Sequence, residues 1–499
     1  MVSLGVDIGG TGCKCVAFRH SGEQLAIAYT EYAIPVGSVN LAPGILQEAV
    51  FQVIGKCVEQ LPDPGEVAAI TLSSFGESFV AIDEAGQPLT DILLYFGNTE
   101  SEEFDRLVEK VGQETFMRIT RLQPVAIYSL SKMLYTRKIA SRPVYKYLFI
   151  AGFLGYRLSG KACTDISLAC RSLLYDVENR CWSAQLLEQC GIDEKTLPEV
   201  VPYGAVIGDI LPEAARELGL PETVKIVMGT HDQIVNALGA GVENVGEAVD
   251  TSGTCECLTP LFADLPENMD FLRSNFACVP YPEDKGFVTY AFNISAGSVI
   301  RWYRDALAAC LQAQAEEQGK SIYDLLNEQS PGEPTKLMVL PFLQGMGGTP
   351  DVDAGATGLI AGMTTQTRLP DIYRAFLEGI TFEMRYNQEL LEQNGVKLDK
   401  LFVCGGGARS AVWLQIKADI LGCEILPVKC EETGALGSAV LGFAAVTGES
   451  PFAIAKKFRV YGEPVKPNPA HQIVYHDRYN SFKALRKLYT DHKEYFEMR

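Results

Sequence analysis

The sequence predicts a two-domain α/β protein, and three observations carry that prediction. Its 499 residues exceed the size at which one hydrophobic core keeps growing, so two domains, 1–244 and 245–499, are expected. Short apolar runs bounded by turn residues alternate with longer stretches of helical period. Finally, the spacing Asp-x-x-Gly-Thr occurs near the start of each half, as Asp7 to Thr11 and as Asp250 to Thr254. Each copy sits between alternating, strand-like arms, the mark of a duplicated unit.

Leu4 and Val6 begin a strand that ends at Asp7, which leaves a carboxylate at the strand end. Gly9, Gly10 and Gly12 then permit a tight turn and close approach of backbone N–H groups to an anion. Cys13 to Phe18 alternates and reads as the return strand, so the loop opens no helix and is neither a Walker nor a Rossmann loop. Gln24 to Thr30 is a third strand, and the helical spacing from Ile45 to Leu61 gives an amphipathic helix ended by Pro62 to Gly65. Val67 to Ser73 is apolar enough to be buried on both faces of a layered sheet.

The polar cluster after that strand places Glu77 and Ser78 at a sheet edge, where they suit sugar hydroxyls; a solvated loop fits the spacing equally well. Tyr95, Gly97 and Asn98 form another polar loop before a helical stretch from Glu100 to Gly112. The region from Ser129 to Gly160 reads as mostly helical and Asp193 to Pro202 as a connection, with no visible chemistry in between.

Val224 to Met228 is a buried strand followed by His231, Asp232 and Gln233 at the start of a helix. A carboxylate at that place is either an N-cap or, with its two polar neighbours, a contact for a polyhydroxylated substrate. In the second half, Pro370 to Asn394 is a long helix. Leu401 to Cys404 is a strand that runs into Gly405, Gly406, Gly407 and Arg409 and then a helix, a turn that admits a flat ligand or a phosphate. Glu424 to Val428 is a further strand, and Thr433 to Val446 a helix of small residues.

Composition sets the bounds. With 47% hydrophobic and 21% charged residues the chain is an ordinary globular protein, and its formal charge of −19 opposes general affinity for nucleic acid or anionic membrane. With no leader-like segment and no span-length apolar run, a cytoplasmic protein is expected. The 14 cysteines lack Cys-x-x-Cys pairs and read as free, mostly buried thiols. Cys13 beside Lys14 admits a redox-sensitive thiolate as well as a plain buried strand residue.

Four ordered blocks resemble the FGGY carbohydrate kinases: Gly358 to Met363, Arg374 to Phe382, Gly405 to Gly422 and Glu432 to Ala439. The resemblance runs nearly end to end. It implies two actin-like (ribonuclease H-like) α/β domains with a catalytic cleft between them, and ATP-dependent phosphorylation of a hydroxyl of a small sugar. His231-Asp232 and Ser252 to Glu256 look most like the L-fuculokinase and L-rhamnulokinase branch, while Val299 to Asp305 looks like xylulokinase. A ketose is therefore expected, a pentulose or hexulose, with a polyol, tetrulose or aldonate as alternatives. A non-kinase ATPase of the same fold, acting as a conformational switch, is the reading from another class.

The resemblance also implies roles. Asp7 and Asp232 would serve Mg²⁺, and Asp232 would be the general base; Glu77, Ser78, His231, Asp232 and Gln233 would hold the sugar. Gly10, Thr11, Gly12 and Lys14 would meet the phosphates of ATP, as would Ser252, Gly253 and Thr254, and Gly405, Gly406, Gly407 and Arg409 would line the adenosine pocket. A homodimer is the family expectation. The sequence departs from the family pattern at Gly10, where an extra glycine stands, at Lys14, where Arg is common, and after Leu94, where the Trp-x-Asp-x-Arg sugar loop is replaced.

Overall fold

The computed structural model describes residues 1–33, 38–94 and 102–496. The polar loop expected at Tyr95, Gly97 and Asn98, and the start of the helix expected from Glu100, lie outside the described residues. The first half contains β1 (Val2–Ile8), β2 (Gly12–Arg19), β3 (Gln24–Glu31), α1 (Pro43–Val58), β4 (Val67–Ser74), α2 (Ser129–Ile139) and α3 (Ile166–Cys170). It continues with β5 (Val206–Asp209), β6 (Lys225–His231) and α4 (Asp232–Ala240). The second half contains β7 (Glu247–Ser252), β8 (Glu256–Phe262), α5 (Gly297–Trp302), α6 (Leu369–Gln393), β9 (Lys400–Gly405), α7 (Ala411–Leu421), β10 (Glu424–Pro427) and α8 (Thr433–Thr447).

The chain forms two compact units. The first comprises Met1–Glu243, Ala277–Phe287 and Glu432–Arg459, and the second Asn244–Phe276, Val288–Glu431 and Val460–Arg499. The chain thus returns twice to the first unit after leaving it.

In the first unit the sheet order is β5-β6-β4-β1-β2-β3. The strands β1, β2 and β3 form an antiparallel meander, with β4 and β6 parallel to β1. Val2, Leu4, Val6 and Ile8 of β1 are buried, and so are Ser3 and Gly5 between them, as expected of a strand covered on both faces. The small-residue helix α8 packs on β1 and on α4. Its approach to α4 is at backbone distance: a β-carbon on Gly437 would fall 1.9 Å from the carbonyl oxygen of Val235.

The second unit repeats this plan. The hairpin β7–β8 is antiparallel, and β9 and β10 run parallel to β7 in the order β8-β7-β9-β10. The long helix α6 buries Phe376, Ile380 and Phe382 in a core that includes Trp413 and Ile416 of α7.

Two stretches differ from their sequence reading. Lys146–Phe149, within the region read as helical, is a strand paired with Phe79–Ile82, because so short an apolar run has no decisive period. The connection Asp193 to Pro202 contains Glu199–Val201, which pairs with Cys163–Asp165. Among the described residues no helix is long and apolar enough to cross a membrane. The cysteines are free thiols.

Candidate active site

The end of β1 carries Asp7, which the hairpin register sets opposite Lys14 on β2. The turn between them is closed by the Gly9 N–H donating to the Gly12 carbonyl at 2.9 Å, and Thr11 at its tip is exposed. Lys14 Nζ binds the carboxylate of Glu432, at the entry to α8. Burial raises the Asp7 carboxyl to about 6, with the Lys14 ammonium opposing and the Glu432 charge adding to the rise. Cys13 on the same strand is pushed up to about 12 by burial. Burial, with the Asp7 charge adding and a hydrogen bond with Tyr32 opposing, favours the protonated thiol and so the plain buried strand residue over the redox-sensitive thiolate.

His231 ends β6 and Asp232 opens α4. His231, not Asp232, occupies the N-cap position, so the capping role considered for the carboxylate is not the one it has. The Asp232 carboxyl is raised to about 7, chiefly by burial and then by the charges of Asp7 and Glu77. Its Oδ1 and the Oε1 of Gln233 are buried and make no hydrogen bond among the described residues. His231 Nδ1 lies 3.4 Å from Asp232 Oδ1, and burial together with the Arg171 charge holds the imidazole well below its usual pKa, hence neutral. The backbone N–H of His231 donates to Ser167 Oγ at 2.8 Å, and Ser167 in turn bonds Asp165, the cap of α3.

Glu77 is buried in a left-handed backbone conformation, φ 64°. Arg171, just past α3, donates Nε to its Oε1 at 2.5 Å and lays its guanidinium over the Tyr128 ring at 4.9 Å. Gly76 lets the guanidinium stem pass, since a β-carbon there would meet Arg171 Cγ at 2.9 Å. Lys132 of α2 is buried nearby; burial lowers its ammonium to about 8, with the Glu77 charge opposing. Ser78 stands apart, because its hydroxyl is turned to the Leu93 carbonyl at 2.8 Å.

In the second unit, Ser252, Gly253 and Thr254 form the turn of the β7–β8 hairpin. The Gly253 N–H donates to the Cys255 carbonyl at 2.9 Å, and Ser298 of α5 donates its N–H to the Thr254 carbonyl at 2.9 Å. Arg301 of α5 is exposed with Nη2 at 3.5 Å from Thr254 Oγ1. The sheet register pairs Ser252 with Gly405, which brings the glycine loop Gly405–Gly407 onto the hairpin. A side chain on Gly407 would collide with Ser252, its β-carbon 2.5 Å from that of Ser252. Arg409 is exposed and pairs with exposed Glu431, a contact worth little in water.

The structure therefore groups Asp7, Gly10, Thr11, Gly12, Lys14, Glu77, His231, Asp232 and Gln233 in the first unit. Ser252 to Thr254, Gly405 to Gly407 and Arg409 belong to the second. Sequence reading missed Arg171 and Lys132, which carry no motif of their own, and gave no role to Arg301, which lies within the stretch Val299 to Asp305. Glu432 was visible only as the first residue of a quoted block. Among the described residues no cluster of three or more His, Cys, Asp or Glu is placed to hold a metal ion. The two half-buried carboxyls Asp7 and Asp232, each held up by desolvation and by neighbouring negative charge, nevertheless have the chemistry of partial ligands that a divalent cation would relieve.

Residues 2–239 match the FGGY family of carbohydrate kinases, N-terminal domain, and residues 251–446 match the C-terminal domain of the same family. A xylulose kinase from Staphylococcus xylosus is 24% identical over 97% of this chain and 99% of its own length. A gluconokinase from Bacillus licheniformis is 28% identical over 89% of this chain and 87% of its own length. The crystal structure of a ligand-bound xylulose kinase from Lactobacillus acidophilus superimposes with a TM-score of 0.87 at 22% identity, covering 99% of both chains.

Proposed function

Because the chain belongs to the FGGY family of carbohydrate kinases, we propose that it transfers the γ-phosphoryl group of ATP to a ketose, a pentulose or hexulose, with Asp232 as general base. The observation that carries this reading is the Asp232 carboxyl itself: half-buried, with a buried oxygen that makes no hydrogen bond among the described residues and a pKa raised to about 7. A base poised near the working pH takes a hydroxyl proton as that oxygen attacks phosphorus. Neutral His231 beside it, the amide of Gln233 and the clamped carboxylate of Glu77 offer donors and acceptors to the remaining hydroxyls.

In this reading Lys14 exchanges Glu432 for nucleotide phosphate, helped by the backbone of Gly10, Thr11 and Gly12. Ser252, Gly253 and Thr254 receive the γ-phosphate, and Gly405, Gly406, Gly407 and Arg409 border the adenosine. Asp7 and Asp232 would hold Mg²⁺ through water; when bound, the ion neutralises charge on the phosphoryl groups. Ser78 backs the loop that carries Glu77. The reaction belongs in the cytoplasm, a setting that free thiols suit.

An aldonate is the second reading. It is favoured by Lys132, a buried ammonium whose partner among the described residues is the Ile127 carbonyl rather than a carboxylate. The gluconokinase relative also acts on an acid by its name.

The test is ADP release from ATP in the presence of pentuloses, hexuloses, tetruloses, polyols and aldonates in turn. Stimulation by a ketose bears the first reading out, stimulation by an aldonate alone replaces it with the second, and no stimulation by any of them refutes both.

A further inference from the structure

We infer that Lys417 is a positioning residue that fixes the hairpin Ser252–Thr254 for the γ-phosphate. The inference rests on the reading that this hairpin meets the terminal phosphate of ATP. Lys417 extends from α7 and is 1% exposed. Its ammonium donates to Ser252 Oγ at 2.7 Å and binds the carboxylates of Asp250 and Glu256. The Trp413 ring lies 4.7 Å from Nζ on the same helix. All of these residues belong to the second unit.

The arrangement joins three parts of the nucleotide site. Asp250 is on the outgoing arm of the hairpin and Glu256 on the returning arm, where the register sets it opposite Ser252. One cation therefore ties both arms just below the turn. The same cation stands on the helix that follows the glycine loop, and Ser252 is the register partner of Gly405. The ammonium thus anchors the hairpin to the helix behind the glycine loop, while the loop keeps its own place through the strand register.

Ser252 is committed within this network. Its hydroxyl accepts from Lys417 and donates to Asp250 Oδ1 at 3.2 Å, so its proton is not offered to a ligand. What the hairpin presents to a phosphate is then the turn around Gly253 and Thr254, in a position set from below by Lys417.

The duplicated motif shows how the two copies have diverged. Asp7 of the first copy faces Lys14 on its own hairpin, and that lysine is only half-buried and drawn to Glu432. Asp250 of the second copy faces Leu258 across its hairpin, and its cation comes from a helix and is fully buried. The first carboxylate is left for ligands and the second is used to hold the structure. Two acids facing one buried ammonium lose the counter-charge they have among the described residues when Lys417 is removed, and the arms are then free to separate.

The experiment measures binding of ADP and of a non-hydrolysable ATP analogue, with no sugar present, to the full-length protein. The variants are Lys417→Met, the triple variant Lys417→Met/Asp250→Asn/Glu256→Gln, which keeps no buried charge at the site, and Thr254→Val. Loss of Lys417, alone or in the triple variant, is expected to weaken the ATP analogue about tenfold while ADP affinity stays within about twofold. The triple variant is expected to unfold at a temperature close to that of the parent, so a folding failure of Lys417→Met alone does not decide the matter. Equal loss of both nucleotides, or loss of neither, overturns the positioning role. Thr254→Val separates the two ideas: if it selectively weakens the ATP analogue while the Lys417 variants do not, the hairpin reading stands and this inference falls. If Thr254→Val and the Lys417 variants all leave the analogue's binding unchanged, the hairpin reading falls and takes the inference with it.

Discussion

The guanidinium of Arg171 clamps the carboxylate of Glu77, with Nε 2.5 Å from Oε1 and the stem passing over Gly76. Both side chains are nearly buried, so the pair is strong in position and costly to break from one side. It holds the Glu77 carboxylate in one orientation, with both contacts of the guanidinium made to a single oxygen, Oε1.

Removal of the clamp should therefore be felt by the sugar and not by the nucleotide. Arg171→Met is expected to raise the sugar KM about tenfold or more, with the ATP KM little changed. Steady-state kinetics with the substrate found by ADP release checks this, and equal effects on both KM values would place Arg171 outside the sugar site.

Close packing of α8 on α4 gives a contrast between two glycines. A β-carbon at Gly437 would lie 1.9 Å from the Val235 carbonyl oxygen, whereas at Gly55 of α1 nothing lies within 4 Å. Gly437→Ala should destabilise by about 1–3 kcal/mol or more through overpacking, and Gly55→Ala should stabilise by about 0.5–1 kcal/mol by restricting the unfolded chain. Urea unfolding of the two variants measures both signs.

Asp165 makes stability depend on pH. Burial raises its folded-state pKa to about 7, against the ordinary 3.8 of an exposed carboxyl. Between these values the folded protein binds one more proton than the unfolded chain, so this contribution is fully present below about pH 4 and is lost as pH rises through about 7. Asp165→Asn keeps the cap and removes the titration. Its unfolding temperature should fall less steeply than that of the parent between pH 5 and pH 7.5; parallel curves would contradict the assignment.

Cys13, with its thiol pushed up to about 12 and its side chain buried, should not react with iodoacetamide at pH 8 in the folded protein. Peptide mass spectrometry after brief labelling is expected to find modification at exposed Cys310 and Cys181 and none at Cys13.

Much of this was legible in the chain itself. Asp7 and Asp250 announce themselves because a glycine turn between alternating arms has a fixed local spacing, and the two units do share one strand plan. Asp232 was placed at a strand end by local pattern, and its role came from the family resemblance. The cations were not legible. Arg171 reaches a residue 94 positions away and Lys417 one 165 positions away, and a contact across such separations leaves no periodicity to read. A lysine amid Leu130, Met133 and Leu134 on a buried helix was the one local hint, at Lys132. The reading as a non-kinase switch gains nothing from the family match, which sets the chain among carbohydrate kinases.

The central claim is that Asp232 takes the proton from the sugar hydroxyl, and Asp232→Asn tests it most directly. The substitution keeps size and polarity and removes the base. In single-turnover phosphoryl transfer from ATP to the stimulating sugar, the rate is expected to fall by about a hundredfold or more, with affinity for ATP retained within a few-fold. A variant that phosphorylates the sugar at the parental rate would contradict the assignment.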